Sequence, residues 1–536
     1  MSALNQSATE QQRRFAQSRL DGITRVKAYA GTGKTFALRE LALQQSSSSK
    51  RGLYLAFNKS AEMEAKGRFP IRHVTSQTVN ALAFGTIGRR YTHKLRNIKT
   101  IEVIKFMGLP WDWRFARMVL DTLTAWCTSD LCEFPLLAIC VQGQPDGTPA
   151  RQAQAAQVAK QLWERMIDPT DEAPISHDGY LKLFQLSQPD LSVDYLMLDE
   201  GQDTNPVTWD IVKRQTCPVV IVGDEYQSIY QFRGATNAME LVVPNQEFHL
   251  TQSFRFGPAT ARIANALLWS FFSEPTPLEG LGPLTKVGRL DDAMRHAVIA
   301  RTNATVFTLA LSALGDGKSM SFIGGVKAYG FSKIVDTWHL ASAQRELIQD
   351  PFIRDFPSFS AFAEYAESAG DFEVKRLVDV VATYGSQVTS IVPAIHVAAL
   401  PPIEGADLVL STAHRSKGMT LPAVMLADDF PELIGSGGQL LPEDLLDRQE
   451  VNLLYVALTR ASHHLQLNST TLAFFNSIGM DASQFDKTAS QSCSRPAQRD
   501  ATSSLGVAAL ASPVPVQGGP RSSGRATHGD LFGPMT

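Results

Sequence analysis

The chain has 536 residues, 44% of them hydrophobic, enough apolar mass for several buried cores rather than one. A net charge of −3 excludes a uniformly basic nucleic-acid binder, so any polynucleotide contact has to come from a local groove. Residues 1–20 are polar and lack the apolar stretch of a signal peptide, no run of about 18 apolar residues marks a membrane span, and five cysteines are too few for a disulfide framework, so a reducing cytosol is the expected compartment.

Short apolar runs at 23–30, 52–57, 193–198, 219–222, 297–300, 408–411 and 423–427 are each followed by turn residues or a helical pattern. They read as central strands of parallel sheets, and their alternation with helices predicts an α/β fold. Residues 90–180, which carry Trp111, Trp113, Trp126 and Trp163, and residues 330–395 read as helical insertions. The expected partition is a first α/β domain (1–89 and 181–243) around the insertion 90–180. A second (244–329 and 396–480) surrounds the insertion 330–395. From 481 to 536 the composition shifts to Ser, Ala, Gln, Gly and Pro, which cannot bury enough surface to offset ordering entropy, so a disordered tail is expected. Cys127, Cys132 and Cys140 lie close together, but an iron–sulfur cluster needs a fourth cysteine nearby, and buried free thiols are expected instead.

The run 23–30 leads through Ala28, Tyr29 and Ala30 into Gly31-Thr32-Gly33-Lys34-Thr35 and then a helical pattern. Strand, glycine-rich turn and helix in that order form a phosphate cradle: backbone N–H groups face the anion, Lys34 neutralises it, and the Thr35 hydroxyl ligates Mg²⁺. Ala28 stands where such loops usually begin with glycine, a position that asks only for a small residue. The run 193–198 ends in Asp199-Glu200-Gly201-Gln202-Asp203. Asp199 is expected to hold Mg²⁺, and Glu200 to polarise an attacking water. After 219–222, Gln227 is delivered to the same sheet edge to sense a γ-phosphate. Tyr230 and Phe232 follow in one short loop, where they either stack on bases or pack into the core. Phe254 is a candidate for stacking on adenine. Arg255 and Arg460 are candidates for cations that reach a transferring phosphoryl group across a cleft.

Taken in order, these segments resemble superfamily 1 helicases of the UvrD/Rep type over residues 9–468. Asp199–Asp203 is similar to D-E-x-Q-D, 223–235 to G-D-x-x-Q-S-I-Y-x-[WF]-R-G-A, 252–255 to Q-x-[YF]-R, 411–419 to T-x-H-x-[AS]-K-G-[LM], and 455–461 to Y-V-A-x-T-R-A. The resemblance implies two RecA-like P-loop domains that use ATP and Mg²⁺, with Gln12 reading adenine. It also implies that Phe57, Asn58, Thr78, Tyr230, Phe232, Thr412 and His414 face DNA. Single-stranded and tailed duplex DNA are the implied substrates, with 3′→5′ movement, in repair, recombination or replication. Ala28–Thr35, 56–59, 324–331 and 426–430 look closest to the F-box DNA helicase group. Too few residues precede the P-loop to hold an F-box, so a ubiquitin-ligase role is not expected, and a bacterial or phage relative is the preferred reading. Two residues depart from the pattern: Thr420 replaces an acidic residue thought to meet the ribose, which could loosen nucleotide specificity, and Asn80 replaces a histidine. The alternatives are a translocase that strips proteins from single strands without processive unwinding, and a motor subunit of a defence complex. In the tail, Asp530-Leu531-Phe532 resembles sliding-clamp ligands, with His528 where glutamine is usual.

Overall fold

The computed structural model describes residues 8–139, 147–231, 234–291, 293–368, 372–401 and 405–480. Two parallel sheets organise them. The first contains β1 (Ile23–Ala28), β2 (Gly52–Ala56), β3 (Val74–Thr78), β4 (Tyr195–Leu198), β5 (Val219–Gly223) and β6 (Gln246–Leu250), in the order β3-β2-β4-β5-β1-β6. A two-stranded link follows, β7 (Gln252–Ser253) with β8 (Glu279–Gly280). The second sheet contains β9 (Lys286–Val287), β10 (His296–Ala300), β11 (Met320–Phe322), β12 (Ala399–Leu400), β13 (Leu408–Thr412), β14 (Leu421–Leu426) and β15 (Ala461–Gln466). Its order is β12-β11-β13-β10-β14-β15-β9.

The central strands are those the apolar runs predict. β2, β4 and β5 are buried at every residue, because helices cover both faces of a parallel sheet. The strands that the apolar-run criterion misses are mostly polar or short. β3 (VTSQT) and β6 (QEFHL) are the two edges of the first sheet, with one face partly exposed. β15 (ASHHLQ) contains two histidines and a serine yet lies inside the second sheet.

Both stretches read as helical insertions are helical. The first, between β3 and β4, includes Thr100–Met107, Trp113–Thr128, Pro149–Ile167 and His177–Leu186. Asp112, Thr148 and Ser176 each accept a backbone N–H at the start of one of these helices, which ends the preceding loop at a defined residue. The second, between β11 and β12, includes Ser332–Ala341, Phe359–Ser368, Phe372–Tyr384 and Val388–Ala398. The two segments share one hydrophobic core. Trp113 stacks on Phe356 with ring centroids 5.4 Å apart and meets Tyr365 edge-on at 5.0 Å. Lys105 pairs with Asp355 at 2.7 Å at the rim of this contact. Cys127 is buried in the first segment, where burial pushes its thiol pKa up, and Cys132 is exposed. No described helix is long and apolar enough to cross a membrane.

Trp113 is 5% exposed and lies in the contact between the two helical segments, whereas its neighbour Trp111 is 53% exposed. Trp113→Ala should therefore cost about 3–5 kcal/mol of unfolding free energy, and Trp111→Ala about 1 kcal/mol or less. Urea denaturation followed by circular dichroism measures both, and similar losses would contradict the packing described.

Candidate functional site

In the first sheet the order β4-β5-β1 places three strand ends side by side. β1 delivers the glycine turn, β4 delivers Asp199 and Glu200, and β5 delivers Asp224 and Gln227. The carboxyl edge of a parallel sheet is where loops and helix N-termini converge, and ligands bind there. Gly31 and Gly33 both adopt left-handed backbone, with φ of 76° and 79°, and Gly33 caps the helix Lys34–Ser46. A Cβ on Gly31 would lie 2.5 Å from Ser253 Oγ and 2.7 Å from Arg255 Cβ, so no side chain fits. Thr32 braces the turn by donating its hydroxyl to the Tyr29 carbonyl at 2.8 Å, and Ala30 N–H donates to the Tyr455 hydroxyl at 3.4 Å.

Lys34 Nζ donates to Glu200 Oε2 at 3.1 Å. Burial opposes its charge, but Glu200, Asp224 and Asp199 outweigh that and hold its pKa above the usual lysine value. Glu200 itself sits in left-handed backbone, φ 54° and ψ 48°, a conformation that costs a residue with a side chain about 1–3 kcal/mol. The turn sends Glu200 toward Lys34 while Asp199 is held behind it. The Tyr54 hydroxyl donates to Asp199 Oδ2, and Glu200 N–H donates to Oδ1 at 2.9 Å. Burial, then Glu200, pushes the Asp199 carboxyl up to about 6. Asp199 and the Thr35 hydroxyl are hard oxygen donors, and a buried carboxylate resisting ionisation suits a divalent cation.

Gln227 Nε2 donates to Asp224 Oδ2 at 2.6 Å, and the Tyr455 hydroxyl reaches the same oxygen at 3.3 Å. Phe254 N–H donates to the Gly31 carbonyl at 2.9 Å, which brings Arg255 against the glycine turn. Arg255 donates to Thr420 Oγ1 (3.0 Å) and the Thr459 carbonyl (3.2 Å). Arg460, fully buried, donates to the carbonyls of Val456 (2.7 Å) and Met419 (3.2 Å) and to Thr459 Oγ1 (3.0 Å). All these acceptors are neutral oxygens. Burial and then the neighbouring Arg255 drive the Arg460 pKa well below the usual guanidinium value. This pair of cations beside a glycine turn is an arrangement that favours an anion.

A second cluster lies at the carboxyl edge. Phe57, 40% exposed, stacks with Tyr230 at 5.5 Å and an interplanar angle of 23°. Tyr230 lies 6.0 Å from the His414 ring and donates its hydroxyl to the His414 carbonyl at 3.3 Å. Asn58, Thr78 and Thr412 have a local role as well: each side chain accepts a backbone N–H and caps a helix.

With that geometry in place, the chain can be set beside known proteins. Residues 185–245, which span Asp199 to Tyr230, match the UvrD/REP helicase N-terminal domain. This match and the relatives that follow support a UvrD-like superfamily 1 helicase. It is 30% identical over 505 residues to F-box DNA helicase 1 of Gallus gallus, covering 86% of this chain and 49% of that protein. It is 29% identical over 510 residues to F-box DNA helicase protein 1 of Schizosaccharomyces pombe, covering 86% and 57% respectively. ATP-dependent DNA helicase Rep of Salmonella typhimurium is 36% identical over 85 residues, 14% of this chain and 12% of that protein. The chain thus spans about half the length of the F-box relatives it matches.

Among the family motifs, the structure brings Lys34, Asp199, Glu200, Gln227 and Arg255 around one turn, with Arg460 neighbouring Arg255. Gln12 is also there, but both ends of its amide are engaged: Thr9 N–H donates to Oε1, and Nε2 donates to the Thr32 carbonyl, each at 3.0 Å. The amide has a further N–H and a further lone pair, so these bonds orient it without using up its capacity. Phe232 and residues 528–533 lie outside the described residues. Several structurally central residues received no role from sequence: Tyr54, Gln202, Asp203, Lys417 and Tyr455. Asp203 and Lys417 stood inside quoted motifs, but only the fold shows that they meet.

Gly31→Ala tests the cradle. Its left-handed φ alone should cost about 1–3 kcal/mol, before the contacts with Ser253 and Arg255 are counted. Chemical denaturation should show that loss, and wild-type stability would mean that the turn relaxes away from Arg255.

Proposed function

We propose that this chain is the motor of an ATP-dependent DNA helicase that moves 3′→5′ along single-stranded DNA, built from two RecA-like domains (1–89 with 181–243, and 244–329 with 396–480). The observation that carries the reading is the pair Arg255, partly buried against the glycine turn, and Arg460, fully buried beside it, both donating to neutral oxygens. Two neighbouring guanidiniums, one of them fully buried, that have no carboxylate acceptor among the described residues call for an anionic ligand, and a triphosphate on Gly31–Thr35 would supply one.

On this reading Lys34 leaves Glu200 for the β/γ-phosphates, which frees the Glu200 carboxylate to orient and polarise the attacking water. Gln227 senses the γ-phosphate, Arg255 and Arg460 stabilise the charge that spreads as the phosphoryl group transfers, and Phe254 stacks on the adenine. Thr35 and Asp199 hold Mg²⁺, which when bound neutralises phosphate charge. Gln12 is the proposed adenine contact. Thr420 is occupied by Arg255 rather than left for the ribose, which supports looser discrimination among nucleotides. Phe57, Tyr230 and His414 offer faces for base stacking, and Asn58, Thr78 and Thr412 lie at helix starts; Phe232 is a further proposed contact on its sequence position alone. A sliding-clamp contact through residues 528–533 belongs to the same reading and rests on the Asp-Leu-Phe sequence alone.

ATP hydrolysis with and without single-stranded DNA, alongside unwinding of 3′-tailed and 5′-tailed duplexes, tests the proposal. Lys34→Ala should lower DNA-stimulated hydrolysis by about 100-fold or more. Full activity in that variant would reject the site, and protein displacement without strand separation would favour the stripping translocase. Phe57→Ala should weaken single-strand binding by about 5- to 100-fold, as the loss of one stacked base predicts, and fluorescence anisotropy reads this directly. Unchanged affinity would remove Phe57 from the strand path.

A further inference from the structure

Lys417 follows β13 in the second sheet, yet its side chain is only 9% exposed and its ammonium is spent on the first sheet's loops. It donates to the Asp203 carboxylate and, at 2.6 Å, to the Gln227 carbonyl. Asp203 is buried. Gln202 Nε2 donates both to Asp203 Oδ2 (3.3 Å) and to Glu200 Oε2 (2.5 Å), while Gln202 Oε1 is fixed by Asp224 N–H at 3.0 Å. A continuous polar chain therefore runs Lys417–Asp203–Gln202–Glu200–Lys34. The same ammonium lies 5.1 Å from the centroid of the Tyr230 ring, the centre of the aromatic cluster.

The Gln202 amide is shared between two carboxylates, and Lys417 sets the balance. With the ammonium in place Asp203 is compensated, and the shorter amide bond goes to Glu200. With the ammonium withdrawn, Asp203 loses the cation that anchors it, and the Gln202 amide is no longer held in that balance between the two carboxyls.

We infer that Lys417 is a positioning residue that makes the orientation of Glu200 depend on closure of the cleft between the two sheets, and that Tyr230 is the neighbour through which a bound strand acts on it. The inference rests on the nucleotide-site reading above. No chemistry passes through Lys417 itself. It holds Asp203, Asp203 holds Gln202, and Gln202 holds the carboxylate that faces the water.

Steady-state ATP hydrolysis by the full chain at saturating single-stranded DNA tests the inference on wild type, Lys417→Met, Lys417→Arg, Asp203→Asn and the double variant Lys417→Met/Asp203→Asn. Lys417→Met and Asp203→Asn should each lower kcat by about 10-fold or more with KM for ATP within about twofold, the pattern of a group that matters in the reaction rather than in binding. Lys417→Arg should recover most of the rate. The double variant should be no worse than the weaker single, because both break one link. Unchanged kcat in either single variant, a raised KM at constant kcat, or losses that multiply in the double variant would overturn the inference. If Lys417→Met does not fold, as melting curves would show, Asp203→Asn and Lys417→Arg decide by the same criteria. A wild-type chain with no ATP hydrolysis would sink the nucleotide-site reading, a result distinct from active wild type with an indifferent Lys417→Met.

Discussion

Four carboxylates, Asp199, Glu200, Asp203 and Asp224, are placed at or near the ends of neighbouring buried strands, where water cannot solvate them well. Burial pushes the carboxyls of Asp199, Asp203 and Asp224 up to about 6 even with cations nearby, while Lys34 and Lys417 hold Glu200 well below its usual value against the same burial. An uncompensated buried charge is expensive, so these strand ends require cations at close range. Lys34 comes from the first sheet's own glycine turn. Lys417, Arg255 and Arg460 come from chain beyond the last strand of that sheet. Charge compensation thus links the two sheets at this edge through the Lys417–Asp203 pair.

The two halves of that compensation differ in kind. Lys34 and Lys417 make direct ion pairs with Glu200 and Asp203. Arg255 and Arg460 instead donate to carbonyl and hydroxyl oxygens and feel the carboxylates only at longer range. Neutral acceptors fix the orientation of a guanidinium without cancelling its charge. The charge of the pair is therefore not cancelled by a direct carboxylate contact among the described residues. Tyr455 completes the bracket: one hydroxyl touches both Asp224 and the N–H of Ala30, so the last family motif bears on two loops of the first sheet at once.

Much of this was legible in the sequence, because the elements that carry it are locally encoded. Fully buried strands such as YLML and VVIVG advertise themselves as apolar runs, and the glycine turn needs two left-handed residues that few sequences supply. The edge strands VTSQT and QEFHL were not legible by that criterion, since an edge strand with a wet face keeps polar residues. β15 escaped for another reason: Ser462 is buried where its hydroxyl meets the Leu421 carbonyl and its carbonyl meets Thr285, partners that only the assembled sheet provides. In the site, the residues that the structure gathers at the glycine turn, such as Lys34, Asp199 and Glu200, were singled out by type and spacing. Lys417 and Asp203 were not, because 214 residues separate them and nothing local announces the pairing. Asn58, Thr78 and Thr412 show the converse. Their motif positions suggest strand contacts, while the structure also gives each a capping bond, and a capping role is compatible with a conserved-looking pattern whether or not a strand is touched.

That capping pattern bears on how a chain of net charge −3 could hold a polyanion at all. The helices Lys59–Lys66 and Val79–Thr86 start just after the carboxyl ends of β2 and β3, two adjacent strands, so both present their N-termini on the same edge as Phe57. An N-terminus carries unsatisfied N–H groups and roughly half a positive charge, and the caps on Asn58 and Thr78 satisfy only part of that donor set. A phosphate backbone running along this edge would meet oriented dipoles, and its bases would meet the faces of Phe57 and Tyr230. Dipoles add nothing to the net charge and release no counterions of their own. Attachment built this way should depend less steeply on salt than attachment through a lysine- and arginine-rich face.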